Sequence, residues 1–176
     1  MTKKKWIICG LILITLLGLW LILRPETRIL NKQVDEKFPR SESQSQSQPQ
    51  QSQTSSNEST EEPQMLYQGT FQKGDSSHDG QGMATIYQMP NGKRILRFTQ
   101  FETDNGPDVK IYLVALPEIK KSTDISKDNY ISLGKMKGNQ GDQNYEIPDH
   151  VDLDTFRSVS IWCERFSVNF ASASLK

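Results

Sequence analysis

A run of eighteen residues without a charged side chain, Trp6–Leu23 (WIICGLILITLLGLWLIL), constrains this chain more than any other feature. Thr15 is its only clearly polar residue. A helix of that length extends roughly 27 Å, close to the hydrocarbon thickness of a bilayer. Lys3, Lys4 and Lys5 precede it, as in a secretory signal peptide, but the run exceeds a usual h-region and no small-x-small cleavage site follows. The expectation is an uncleaved signal anchor over residues 1–24, a transmembrane helix with the lipid bilayer as partner of residues 6–23. The tight lysine cluster places the N-terminus in the cytoplasm and the rest of this single-pass membrane protein on the extracytoplasmic side. Cys9 has no lipobox before it, which leaves it a membrane thiol and not a lipoprotein site.

Beyond the run, the mean hydropathy of −0.62 averages unlike segments and describes none of them. Residues 25–64 are expected to form a disordered linker. Ser41–Gln64 reads SESQSQSQPQQSQTSSNESTEEPQ, with almost nothing apolar to offset the entropy of ordering it. Residues 65–176 are long enough for one core and too short for two domains. There the apolar period is two. Ala84 and Ile86 face Leu96 and Phe98 across a PNGK turn, a hairpin signal. In DVKIYLVAL, Val109, Ile111, Leu113 and Ala115 alternate with Lys110, Tyr112 and Val114, giving one core face and one partly wet. Near the end, Val159, Ile161 and Cys163 share a face, and Phe166, Val168 and Phe170 share another. Short runs at Leu66–Phe71, Tyr130–Leu133 and Asn144–Ile147 complete the pattern, and no helix longer than the turn at Asp152–Phe156 is expected. The fold class is all-β: an antiparallel β-sandwich of about seven strands.

With 21 basic and 21 acidic side chains the chain has no net charge to draw nucleic acid. Two cysteines, without a CxxC or a Cys/His cluster, make neither a disulfide framework nor a zinc site. No GxSxG, HExxH, P-loop or dinucleotide fingerprint is present, which argues against a hydrolase or nucleotide enzyme. Asp104, Asn105, Asp108 and Asp142 offer hard oxygen ligands for Ca²⁺ if they converge, but they fit turn formers bonded to nearby amides better. Met83, Met89 and Met136 read as packing residues and His150 as a surface turn residue.

The ordered series Gly69-x-Phe71, His78-x-x-Gly-x-Gly82, Asn105-Gly106-Pro107-Asp108, Lys137-Gly138-Asn139-Gln140-Gly141-Asp142-Gln143-Asn144-Tyr145 and Ile161-Trp162-Cys163-x-x-Phe166-x-Val168-x-Phe170 resembles the DM-thirteen domain. The resemblance covers nearly all of residues 66–175. It implies an extracellular or lumenal β-rich module with an electron-transfer role. The family's marker cysteine falls on Cys163, as a redox thiol or a ligand to haem or copper with a redox partner protein, and His78 is the histidine that the pattern picks out. A thiol active in this way needs a depressed pKa and access. Parity instead turns Cys163 toward the core, where a cysteine is a small hydrophobe of little reactivity. Two readings therefore stand: an electron-transfer module working through Cys163, with His78 as co-ligand or base, and a non-catalytic β-sandwich that binds a protein, cell-wall or glycan partner around an inert core cysteine.

Overall fold

A computed structural model describes residues 31–39 and 62–176, with the isolated positions 13 and 15. The expected anchor and most of the linker lie outside the described residues, among which no helix is long and apolar enough to cross a membrane. Residues 1–30 and 31–176 form separate units. The second unit holds every strand found among the described residues.

Alternating Val, Ile, Phe and Tyr residues separated by Gly, Asn and Pro turns build strands, because β-branched and aromatic side chains pack well on a pleated surface. Nine lie among the described residues, where the sequence leads one to expect about seven: β1 (Gln64–Thr70), β2 (Gln72–Lys73), β3 (Gly80–Gln88), β4 (Arg94–Thr103), β5 (Val109–Val114), β6 (Tyr130–Lys135), β7 (Gln143–Ile147), β8 (Ser158–Cys163) and β9 (Val168–Ser174). β2 has only two residues, too few to leave a periodic signal. It is split from β1 at Phe71, where the chain passes from one sheet to the other. The four-stranded sheet runs β1-β3-β4-β7 and the five-stranded sheet β2-β9-β8-β5-β6, with every pairing antiparallel. Between residues 62 and 176 the only helical piece is the 3-10 turn Ser122–Asp124.

The β3–β4 hairpin has the expected register, Ala84 opposite Phe98 and Ile86 opposite Leu96. These four side chains are fully buried against Ile111, Leu113, Val159 and Ile161 of the facing sheet. Phe71 and Phe98 meet edge to face with centroids 4.8 Å apart, an arrangement that adds electrostatic preference to the area buried. The outer face of β5, expected to be partly wet, is covered, as is that of β8. Tyr112, Val114 and Trp162 pack there with Ile119 and Ile125 from the β5–β6 connection. The strand parity is as expected. Its solvent exposure is not.

A second departure concerns residues 31–39, which the sequence assigns to the linker. They lie along the 138–144 stretch: the Val34 amide donates to the Gln140 carbonyl at 2.9 Å and the Glu36 amide to the Asp142 carbonyl at 2.9 Å. The Glu36 carboxylate receives Lys137 Nζ at 2.8 Å and the Asn144 amide at 2.8 Å. Phe38 meets Tyr87 edge to face at 4.9 Å. Gly138 and Gly141 make this close approach possible, since a Cβ on either would run into the carbonyl oxygen of Lys32 or Val34 respectively. Gly141 also holds φ at +93°, open to glycine at little cost.

In Gly141→Ala, the added methyl and the left-handed backbone together should release this strap. We expect a loss of about 2–4 kcal/mol in chemical denaturation, with new protease cleavage within 31–39. Wild-type stability and an uncut strap would show that the strap contributes nothing.

Candidate functional site

Parity along β8 turns Cys163 inward with Val159 and Ile161, and its side chain is fully buried in the inter-sheet core. Its Sγ donates to the Pro107 carbonyl at 3.2 Å. Pro107 belongs to the Asn105–Asp108 loop that precedes β5, and Asp108, at φ +60°, accepts the Glu164 amide at 3.1 Å. Asp tolerates that conformation better than most residues. The loop thus closes over the end of β8, with the thiol beneath it.

A third segment joins from the other side. The ring of His78 stacks on Phe170 of β9 with centroids 4.0 Å apart and 14° between planes. The edge of Phe170 lies against Gly106, where a Cβ would approach it to 2.9 Å. The chain from His78 through Phe170 and Gly106 to Pro107 and Cys163 is continuous. His78 Nδ1 lies 3.0 and 3.1 Å from the two carboxylate oxygens of Asp75. An ionised carboxylate only accepts, so this nitrogen carries the proton. Asp75 also accepts the amides of Ser77 and His78 at 2.7 and 2.9 Å, which folds the GDSSHDG stretch into a side-chain-closed turn. Burial pushes the Asp75 carboxyl up, but the hydrogen bonds from Ser77 and His78 outweigh it and hold the group below the usual carboxylate range.

The structure thus brings His78 and Cys163 to one end of the sandwich without a hydrogen bond between them. Phe170 and the Gly106–Pro107 loop stand as the connection. The thiol is engaged by Pro107 and His78 Nδ1 by Asp75, and the face of the His78 ring is held against Phe170, not turned to the sulfur. Among the described residues no group of three or more His, Cys, Asp or Glu converges as for a metal ion. As they stand, the two side chains do not fit a shared ligand set for haem or copper. Asp75 was missed by sequence reasoning, though it left a signal in its spacing from His78 within a Gly/Ser loop. Pro107 and Phe170 were named there only as elements of the family pattern, and the stacking of Phe170 on His78 left no signal because the two lie far apart in the chain. Phe166 departs from its expected place. It lies in the β8–β9 turn, before Ser167 at φ +54°, and is 62% exposed.

The loop acids do not converge on a cation. Asp142 pairs with Arg97 at 2.6 Å and accepts the Gln100 amide at 2.9 Å, Asp104 accepts the Asp79 amide at 3.0 Å, and Asn105 Oδ1 accepts the Gly106 amide at 2.9 Å. A polar cleft of about 450 Å³ is lined by Asn31, Asp79, Glu102, Asp104 and Asn139, where Glu102 receives the Gln81 and Gln140 side-chain amides and Asn139 donates to Asn31.

Residues 70–175 match the family described as electron transfer DM13. This chain belongs to that family. No curated protein and no solved structure matches it.

The depressed Asp75 carboxyl gives the His78 turn a pH dependence. Because its folded pKa lies below the unfolded value, its contribution is complete above that unfolded value, near 4, and is lost as pH falls through the folded one. The protection factors of the Ser77 and His78 amides should fall below about pH 4 while those of core amides hold. Asp75→Asn should show the low protection already at neutral pH. Equal protection at pH 6 and pH 2 would remove Asp75 as the cause.

Proposed function

We propose that this chain is a membrane-anchored, extracytoplasmic electron-transfer module in which Cys163 is the redox thiol and the His78 turn controls its cover. Membership of a family described by electron transfer supports the first half of this reading. The observation that carries the second is the meeting of the His78, Gly106-Pro107-Asp108 and Cys163 elements at one end of the sandwich. The one hydrogen bond of the thiol goes to a loop, through the Pro107 carbonyl. Displacing Pro107 frees the sulfur without breaking the sheet.

The chemistry assigned to it is exchange with a disulfide of a redox partner protein. Cys163 loses its proton, and its sulfur attacks one sulfur of the partner. An S–S bond forms as the partner's S–S bond breaks, and the departing sulfur takes up a proton. His78 acts as a positioning residue, clamping Phe170 against Gly106. Full burial of Cys163 among aliphatic side chains favours the rival reading, a binding module for a protein, cell-wall or glycan partner with an inert core cysteine.

Thiol labelling of the folded protein separates the two. In the redox reading a small alkylating probe modifies Cys163 below the ordinary thiol pKa of about 8.5, and Asp75→Asn, which loosens the His78 turn, raises the rate several-fold. If native protein refuses the probe until denatured, and Cys163→Ser costs about 1–3 kcal/mol as a hydroxyl placed among apolar groups, the thiol is packing and the binding-module reading holds.

A further inference from the structure

The outer face of β5 and β8 carries a second group of redox-competent side chains, away from Cys163. Tyr112 is fully buried there, and its phenol donates to Oε1 of Glu164. The same carboxylate oxygen receives Lys110 Nζ at 3.1 Å. The Tyr112 ring stacks on Tyr130 with centroids 3.9 Å apart and 7° between planes, and Tyr130 is half-buried at the start of β6. Trp162 lies 6.2 Å away on the other side.

We propose that Tyr112 is a one-electron redox site, with Glu164 as its proton acceptor and Tyr130 as the ring through which the electron reaches the surface. A phenol that loses an electron becomes a strong acid, so its oxidation is far easier when a base already accepts the hydroxyl's hydrogen bond. Glu164 is that base. In the forward step one electron passes from Tyr112 through Tyr130 to a high-potential one-electron acceptor, such as a peroxide-oxidised haem in a partner. The phenolic O–H bond breaks and the proton joins the Glu164 carboxylate. A one-electron donor then restores the phenol, and Glu164 returns the proton. Burial keeps water and other quenchers from the radical.

The other phenols with a described partner lack one half of this arrangement. Tyr67 donates to the Asp154 carboxylate at 2.8 Å, but its ring face is taken by Arg157, 4.5 Å away. Tyr145 donates to the Gln143 side-chain oxygen at 2.7 Å, an amide and not a base. The inference rests on the electron-transfer reading of the domain and is independent of Cys163.

Flash oxidation of the full chain in detergent by photogenerated ruthenium(III) tris-bipyridine, followed by freeze-quench electron paramagnetic resonance, tests it. The expected result is a tyrosyl signal that falls at least tenfold in Tyr112→Phe, persists in Tyr67→Phe and Cys163→Ser, and forms at least tenfold more slowly in Glu164→Gln. Glu164 lies past the end of β8 and is not in the core, so that variant retains the fold. If Tyr112→Phe does not fold, difluorotyrosine placed at position 112 identifies the radical by its hyperfine pattern. A signal that is unaltered by either change at position 112, or a rate indifferent to Glu164→Gln, overturns the proposal. Native thiol labelling reports on Cys163 in the same preparation, so the two assignments fail separately.

Discussion

Burial of β5 and β8 on both faces places Tyr112 and Cys163, the two side chains on which the proposed chemistry turns. These strands lie inside the five-stranded sheet, and their register sets Ile111 opposite Ile161 and Leu113 opposite Val159. Side chains alternate with period two, so a slip of one residue would exchange Cys163 for Trp162 and send Tyr112 into the inter-sheet core. The aliphatic inner set and the aromatic outer set make that slip costly in both directions. A bulge at Ile161/Trp162 then changes the count on β9. Ala171 pairs with Ile161 and Asn169 with Trp162, which leaves Phe170 as the additional residue. Phe170 and Ala171 both enter the core as a result. Bulges re-aim side chains in this way, and here the re-aimed ring is the one that His78 and Gly106 grip.

Two covers outside the sheets complete the domain. Ile119 and Ile125 cap Tyr112 and Trp162, so the phenol meets a carboxylate in partly dry surroundings. There the hydrogen bonds from Tyr112 and Lys110, opposed by burial, hold the Glu164 carboxyl below the usual carboxylate range, while burial first and then Glu164 push the Tyr112 phenol up. The resting proton is therefore fixed on the phenol. The 31–39 strap does comparable work for polar groups. Asn139, itself buried, donates to Asn31 and Thr103 and accepts the Lys32 amide, and Arg97 donates to the Glu36 carbonyl and pairs with Asp142. Without the strap these groups would need water in its place.

Parity was the legible part. It placed Val159, Ile161 and Cys163 inward and the β3–β4 hairpin in register, because a half-buried strand writes its faces directly into the sequence. The covers were not legible. Ile119 and Ile125 sit in an irregular connection with no period to read, and the strap offers only Val34 and Phe38 as apolar anchors beside a Ser/Gln tract. Phe166 was misread for a related reason. The turn between β8 and β9 interrupts the alternation, so a residue in phase with Val168 and Phe170 along the chain stands in solvent. Of the candidate site, Cys163 and His78 were legible as types, but the Phe170 ring between them is set by a bulge that no local pattern announces.

The arrangement also bears on how a buried thiol and a buried phenol serve one module. Cys163 and Tyr112 sit on opposite faces of paired strands, with Trp162 and Glu164, the neighbours of Cys163 in sequence, on the tyrosine's side. In the proposed roles, exchange at sulfur needs contact, which requires the Pro107 loop to lift. Electron loss from a phenol needs only overlap between rings and a base for the proton, hence a fixed cover and a stack that ends at half-buried Tyr130. The Glu164 amide is bonded to the Asp108 carbonyl of the loop that covers the thiol. The loop that covers the thiol thus also fixes the backbone of the residue that accepts the Tyr112 hydrogen bond.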